Sequence, residues 1–178
     1  MQKPLNTSPK LHLLSPTPPH YKQPYSILFV GASAKYRRWS VKHFAEVGEH
    51  LMRVYKHNLL VCGGNADIES GFYLEQLLQA KVKDYKQSIY NLTGKTTLAE
   101  LVSLVYNGNH LGRFIPYPKE IRDKYYPVFH PYITANYARY KELSNAFAYK
   151  STLNINDIQP KQVIDVIDQI YTQRSDNE

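Results

Sequence analysis

The chain has 178 residues, a formal net charge of +7 and a hydrophobic content of 43%. This length and composition suit one folded domain, and the lack of any run of about 18 apolar residues excludes a membrane-spanning helix. The single cysteine, Cys62, lies in an apolar run and is expected in the core; it excludes a disulfide within the chain, which is typical of the cytosol. The positive charge favours an anionic partner, although a solvated basic surface would give the same total, and the scattered cations argue against nucleic acid.

The placement of proline divides the chain into segments. Six of the eleven prolines lie within the first 24 residues, and none lies between Tyr25 and Ile115. Prolines and aromatic residues then return, before apolar periodicity of the helical kind resumes. The predicted segments are an extended Pro-rich linker (1–24), an α/β unit (25–110), a Pro/Tyr-rich loop (111–136) and C-terminal helices that pack on the α/β unit (137–178).

Short apolar runs predict strands, and periodic apolar positions predict the helices between them. Ser40 is a candidate N-cap of the first helix, and Gly48 lies on its apolar stripe, where a glycine permits close packing on a sheet. Alternating strands and helices indicate an α/β fold: a Rossmann-like parallel sheet with flanking helices. The predicted strands are 26–30, 58–62 and 88–92; the predicted helices are 41–55, 68–82 (apolar residues Phe72, Leu74, Leu77 and Leu78), 97–106, 137–148 and 160–171.

Three glycine turns follow the three predicted strands, at Gly31, Gly63 and Gly94. In open parallel sheets, ligands bind beyond the carboxyl ends of the strands, and these ends share one edge. The three turns are therefore expected to form one site, although they are far apart along the chain.

The turn after the first strand has the residue types of a phosphate site. Gly31 and two alanines leave the backbone open to close approach, and the Ser33 hydroxyl and backbone N–H groups can donate hydrogen bonds. Arg37 can form a bidentate pair with a phosphate. The alternative is an ordinary helix start with solvated arginines.

The second and third turns add polar groups to the same edge. Asp67 follows Gly63-Gly64 and can accept a hydrogen bond from a ribose hydroxyl, with Glu69 in reserve; an ordinary carboxylate at a helix N-terminus is the alternative. The third turn, Leu92-Thr-Gly-Lys-Thr-Thr97, lacks the first glycine of a Walker motif, which excludes a phosphate loop of that kind. Helix capping by Thr96 or Thr97 is the alternative explanation of this turn.

Taken together, Gly31-Ala-Ser…Arg-Trp39, Cys62-Gly-Gly64 and Asn91-Leu-Thr-Gly-Lys-Thr-Thr-Leu98 resemble the C-terminal half of family 9 glycosyltransferases, the ADP-heptose:lipopolysaccharide heptosyltransferases. The resemblance covers about 25–120 and implies one half of a GT-B fold that binds an ADP-heptose-like nucleotide-sugar donor. It implies phosphate contacts at Ser33 and Arg37, the latter at a position where the family usually has lysine. The remaining implied donor-binding residues are Gly64, Asp67, Lys95 and Thr96, with Thr96 against the adenine or ribose.

The chain also departs from the family pattern. An Asp-Thr-Gly…His segment is expected after the third helix, but His110 passes directly into a Pro/Tyr-rich run, so His110 is predicted to be a surface residue. The family's acceptor half and its catalytic carboxylate are not found in the sequence. We therefore expect a truncated donor-binding domain with no catalytic residues, metal or cofactor, so whether it is an enzyme stays open. The alternative is a non-catalytic protein-interaction domain.

The expected partners follow from this interpretation. They are a nucleotide-sugar donor and either the missing N-terminal half or a second copy of the chain, without nucleic acid. The expected location is the cytoplasm, with at most peripheral contact at the inner face of the membrane.

Overall fold

The computed structural model describes residues 21, 24–84, 88–97, 126–139, 142 and 152–175. Within them a parallel sheet is flanked by helices, which confirms the predicted α/β class. The strands and helices are β1 (Tyr25–Phe29), α1 (Val41–Tyr55), β2 (Asn58–Cys62), α2 (Ile68–Lys81), β3 (Ile89–Asn91), α3 (Pro131–Ala135) and α4 (Pro160–Ser175). Short 3-10 turns lie at Lys35–Arg37, Asn65–Asp67, Tyr137–Arg139 and Ile155–Asp157.

The sheet has the order β1-β2-β3, and both strand pairs are parallel. Its register pairs Tyr25 with Asn58 and Leu59 with Ile89. The predicted strands are confirmed to within one or two residues at their ends. The ladder continues just beyond them, because the Val30 N–H donates to the Cys62 carbonyl at 2.9 Å and the Leu92 N–H to the Val61 carbonyl at 2.8 Å.

The central strand β2 is buried along its whole length. Leu59 and Val61 belong to the main hydrophobic cluster, and the alternate residues Leu60 and Cys62 are fully buried as well, so both faces of the strand are covered. Burial raises the pKa of the Cys62 thiol to about 11. This confirms the expectation that Cys62 is a core residue.

Helix α1 begins at the predicted cap, where the Ser40 side chain accepts from the Lys42 N–H at 3.3 Å. Gly48 lies where α1 meets the sheet and α2: a Cβ there would come within 2.9 Å of Leu78 and 3.0 Å of Leu59. The predicted role of Gly48 in close packing is confirmed, because even one added methyl group would force its neighbours to move.

Helix α2 buries a stripe of Gly71, Leu74 and Leu78. Phe72, another of the apolar residues of this predicted helix, lies outside the stripe, since its side chain is 58% exposed. Phe72 is two residues from Leu74, about 200° around the helix axis, and therefore points away from the core.

Helix α4 begins at Pro160 as predicted and ends four residues later than predicted, at Ser175. Val163, Ile164 and Ile167 pack against the core beside α1. The segment before α4 is also tied to the start of α1, because the Trp39 indole N–H donates to the Ile158 carbonyl at 2.8 Å. Helix α4 thus packs against α1 and the hydrophobic core.

Two other predicted segments have a different local structure. Several more lie outside the described residues. Helix α3 lies inside the predicted loop: Pro131 occupies its first turn, and the His130 side chain caps it by accepting from the Tyr132 N–H. The helix predicted from Tyr137 begins instead as a 3-10 turn. The segments outside the described residues are 1–20, 22–23, 85–87, 98–125 (most of the predicted helix 97–106, and His110), 140–141, 143–151 and 176–178. The segment boundaries stay predictions.

None of the helices in the described ranges combines the length and the apolar character needed to cross a bilayer.

Candidate functional site

The three glycine turns meet at the carboxyl edge of the sheet, as their order along the strands implies. The Gly94 N–H donates to the Gly63 carbonyl at 3.0 Å, which joins the turns after β2 and β3. Gly94 has a φ of 69°, a left-handed conformation that favours glycine. The turn after β1 joins them through Asp67, because a Cβ on Gly31 would lie 2.3 Å from Asp67 Oδ2.

Asp67 occupies the space between the first two turns. Its Oδ2 accepts from the Gly64 N–H at 2.9 Å. Its Oδ1 lies 3.6 Å from Arg38 Nη2, an ion-pair distance, but is buried and accepts no hydrogen bond within the described part of the chain. The carboxylate therefore faces the two turns, and only 9% of its side chain is exposed.

Arg37 and Ser33 lie on the outer side of the same edge. Arg37 belongs to the 3-10 turn that precedes α1, and its guanidinium stacks over the Tyr36 ring at 5.3 Å from the centroid. It makes no ion pair with any described residue. Ser33 is exposed two residues after Gly31. Both predicted phosphate-contacting side chains are thus accessible at the first turn.

In the third turn, the two predicted donor-binding residues, Lys95 and Thr96, have different environments. The Lys95 ammonium donates to the Asn91 carbonyl at 2.9 Å, so its charge is held close to the end of β3. Thr96 Oγ1 is buried and has no hydrogen-bond partner among the described residues. The helix that Thr96 or Thr97 would cap lies almost wholly outside the described residues, so the capping explanation stays a prediction.

Two polar residues that the sequence analysis did not select organise this edge. Arg38 reaches inward, and its Nε donates to the Ala32 carbonyl at 3.2 Å. Thr93 is buried and donates from Oγ1 to Asn91 Oδ1 at 2.6 Å, close against Gly71 of α2. The available signal was the adjacent Arg37-Arg38 pair, but residue type alone does not say which arginine turns inward.

The arrangement suits the binding of an anion with hydroxyl groups better than acid-base chemistry. It offers an accessible guanidinium, an exposed hydroxyl and turn N–H groups around glycine. No group of three His, Cys, Asp or Glu side chains suited to a metal occurs within the described residues. Of the predicted donor residues, Gly64, Asp67, Lys95 and Thr96 lie on the second and third turns, and Ser33 and Arg37 on the first.

Comparison with known proteins places the chain in a family. A family model described as glycosyltransferase family 9 (heptosyltransferase) matches residues 3–109, more than half of the chain. The chain belongs to this family.

A solved structure and the curated proteins were compared as well. The chain is similar to the glycosyl transferase family 9 protein from Veillonella parvula DSM 2008, with 21% sequence identity and a TM-score of 0.32. The similarity covers 47% of this chain and 22% of that one, so the chain matches about a fifth of that protein's length. No curated protein gave a match.

Proposed function

We propose that the chain binds a nucleotide-sugar donor at the carboxyl edge of its sheet, as the donor-binding half of a GT-B glycosyltransferase. The proposed donor is ADP-heptose-like, and the proposed role is in the synthesis of lipopolysaccharide or another cell-surface glycan. Family membership supports the class of reaction, and the donor comes from the resemblance of the three motifs.

The observation that carries this proposal is the environment of the Arg37 side chain. It is a partly exposed cation beside a glycine turn, at the edge where parallel sheets bind ligands, and no described carboxylate neutralises it. A pyrophosphate there would accept from the guanidinium, from the Ser33 hydroxyl and from turn N–H groups. Arg53 on α1, by contrast, is paired with Glu49 at 2.9 Å.

The other predicted donor residues would lie around the sugar and base. Gly64 and Thr96 flank the second and third turns, and the Thr96 hydroxyl has hydrogen-bonding capacity that no described residue uses. Lys95 contributes positive charge from its position at the Asn91 carbonyl. Transfer of the sugar would also require an acceptor-binding half, so we expect these 178 residues alone to give no product.

A second candidate function is a protein-interaction domain built on the same fold. The outer face of α2 carries Ile68 and Phe72, one turn apart and 51% and 58% exposed. Large apolar side chains exposed together are typical of interaction surfaces. A second copy of the chain or an acceptor-binding half would be the partner.

Calorimetric titration of the full chain with ADP and an ADP-sugar tests the proposal. We expect saturable binding that Arg37→Ala weakens by about 1–3 kcal/mol, the scale of a charge-assisted phosphate contact. Lys161→Ala is the matched control, because it removes the same charge from an exposed α4 side chain paired with Asp165.

The outcomes separate the two candidates. Absence of binding at millimolar ADP-sugar would contradict the donor proposal, and a concentration-dependent mass in sedimentation would then favour the interaction domain. Equal affinities for wild type and Arg37→Ala would place the phosphate elsewhere.

A further inference from the structure

Two neighbouring arginines at the carboxyl edge have different partners. Both are partly exposed, but Arg37 stacks on Tyr36, whereas Arg38 reaches toward the turns after β1 and β2. The Arg38 Nε donates to the Ala32 carbonyl at 3.2 Å, and its Nη2 lies 3.6 Å from Asp67 Oδ1. One side chain therefore contacts the turn after β1 and the turn after β2 at the same time.

Asp67 completes this connection from the other side. Its Oδ2 accepts from the Gly64 N–H at 2.9 Å, and the same oxygen lies against Gly31, where a Cβ would come within 2.3 Å. The Ala32 carbonyl, Arg38, Asp67 and the Gly64 N–H thus form a continuous chain of polar contacts across the edge. The backbone ladder between the two strands ends at the bond from the Val30 N–H to the Cys62 carbonyl, and this chain of contacts joins the two turns beyond it.

The electrostatics favour a pair that acts as a unit. A carboxylate that is 9% exposed is costly to keep charged without a nearby cation, and Arg38 is the cation that meets it. If the Arg38 side chain turned outward toward a ligand, Asp67 Oδ1 would lose its ion-pair contact at 3.6 Å. This contact favours the inward position of Arg38, whereas Arg37 has no described carboxylate partner.

We propose that Arg38 and Asp67 are positioning residues of the donor site, which set the distance between the Gly31 turn and the Gly64 turn. This inference rests on the proposed function. Asp67 then acts on the donor through Arg38 and Gly64, in place of the direct contact with a ribose hydroxyl that its sequence position predicted. The pair holds the first-turn N–H groups and Arg37 in one orientation, which lowers the cost of ordering them on the pyrophosphate.

A double-mutant cycle in ADP affinity tests the coupling. Arg38→Gln and Asp67→Asn are each expected to weaken ADP binding about tenfold, and the double variant by no more than about tenfold, because either change breaks the same connection. Arg38→Lys, which keeps the charge but loses the forked geometry, is expected to recover part of the affinity. Additive losses would mean that Asp67 contacts the ligand directly, and would overturn the proposal.

Two further measurements separate positioning from mere stabilisation and from failure of the donor proposal. Thermal unfolding shows whether the variants stay folded at the binding temperature; a merely structural pair would lower the melting temperature and leave the ADP affinity of the folded chain unchanged. Hydrogen exchange of the Gly64 amide needs no ligand: Arg38→Gln should accelerate it at least about tenfold relative to wild type and to Lys161→Ala. Unchanged exchange would overturn the inference, whereas accelerated exchange in a chain that does not bind ADP would contradict only the donor proposal.

Discussion

At the amino edge of the sheet, His57 makes hydrogen bonds at both ring nitrogens, whereas at the carboxyl edge Asp67 Oδ1 and Thr96 Oγ1 are buried with no such partner in the described residues. His57 Nδ1 lies 2.7 Å from Ser26 Oγ, and its Nε2 lies 2.9 Å from the Tyr171 hydroxyl. The His57 ring is thus fully hydrogen-bonded at the amino edge, whereas these two oxygens at the carboxyl edge have unused hydrogen-bonding capacity.

The amino edge uses its polar groups to dock α4 on α1. The Tyr55 hydroxyl donates to Asp168 Oδ1 at 2.7 Å, and His50 Nε2 lies 2.6 Å from the same oxygen. Tyr55 stacks on Tyr171 with ring centroids 3.9 Å apart. Burial and the Asp168 carboxylate raise the pKa of Tyr55 to about 12, so the hydroxyl keeps the proton that it donates.

This difference indicates that the polar groups of the two edges serve different purposes. A satisfied network adds stability and fixes one arrangement of the elements that it joins. Groups left without partners add no such stability, and they concentrate at sites that serve binding. We therefore expect substitutions at the amino edge to change folding, and substitutions at the carboxyl edge to change ligand affinity.

The largest expected effect is at His57. His57→Ala removes a buried ring and two hydrogen bonds, and should lower the free energy of unfolding by about 2–4 kcal/mol. Tyr171→Phe removes one of those hydrogen bonds while it keeps the stacking on Tyr55, and should cost about 1 kcal/mol. Urea unfolding measures both.

Arg37→Ala is the counterpart from the opposite edge. Its free energy of unfolding should stay within about 0.5 kcal/mol of wild type, as for other surface substitutions. If His57→Ala were neutral, or if it weakened ADP binding in the folded chain as much as Arg37→Ala does, the contrast between the edges would fail.

A smaller effect is expected from pH. Burial lowers the pKa of His57 below its usual value, so the unfolded chain takes up this proton at a higher pH than the folded chain. The stability contribution is complete above a pH of about 6.5 and falls as the pH drops from there to the folded pKa, by at most about 1.4 kcal/mol per pH unit. Urea unfolding at about pH 7.5 and about pH 5.5 measures the loss.

His57→Gln should reduce this loss, because glutamine fills similar space and does not titrate. Asp168 acts at more acidic pH: burial raises its pKa, but the contacts with Tyr55 and His50 outweigh burial and lower it overall. Its contribution is present above a pH of about 4 and is lost below that value. The same pH dependence in wild type and His57→Gln would show that His57 is not the responsible group.

Much of the fold could be predicted from local sequence pattern. Strand β2 is a continuous apolar run that ends at Gly63, and α1 has a cap, an apolar stripe and a glycine at the packing position. These signals lie within one element each. Phe72 shows their limit, because it is an apolar residue of α2 that faces solvent, and residue type alone does not say so.

The arrangement of polar residues at the two edges depends on contacts between distant parts of the chain. Local sequence pattern carries no information about such contacts. The glycine turns identified the carboxyl edge, because parallel topology brings strand ends together. The inward turn of Arg38 toward Asp67 and the pairing of His57 with Tyr171 each join separate elements, the latter across 114 positions. Neither residue spacing nor composition specifies such pairs.

The most direct test of the account is the location of the nucleotide on the folded chain. Nuclear magnetic resonance titration of the isotope-labelled full chain with ADP follows every assigned backbone amide at once. The account predicts that the largest shifts occur at Gly31, Gly64 and Thr96, with the amides of His57 and Asp168 nearly unchanged. Largest shifts around His57 and Asp168, or no shifts at saturating ADP, would contradict the claim that the carboxyl edge is the donor site.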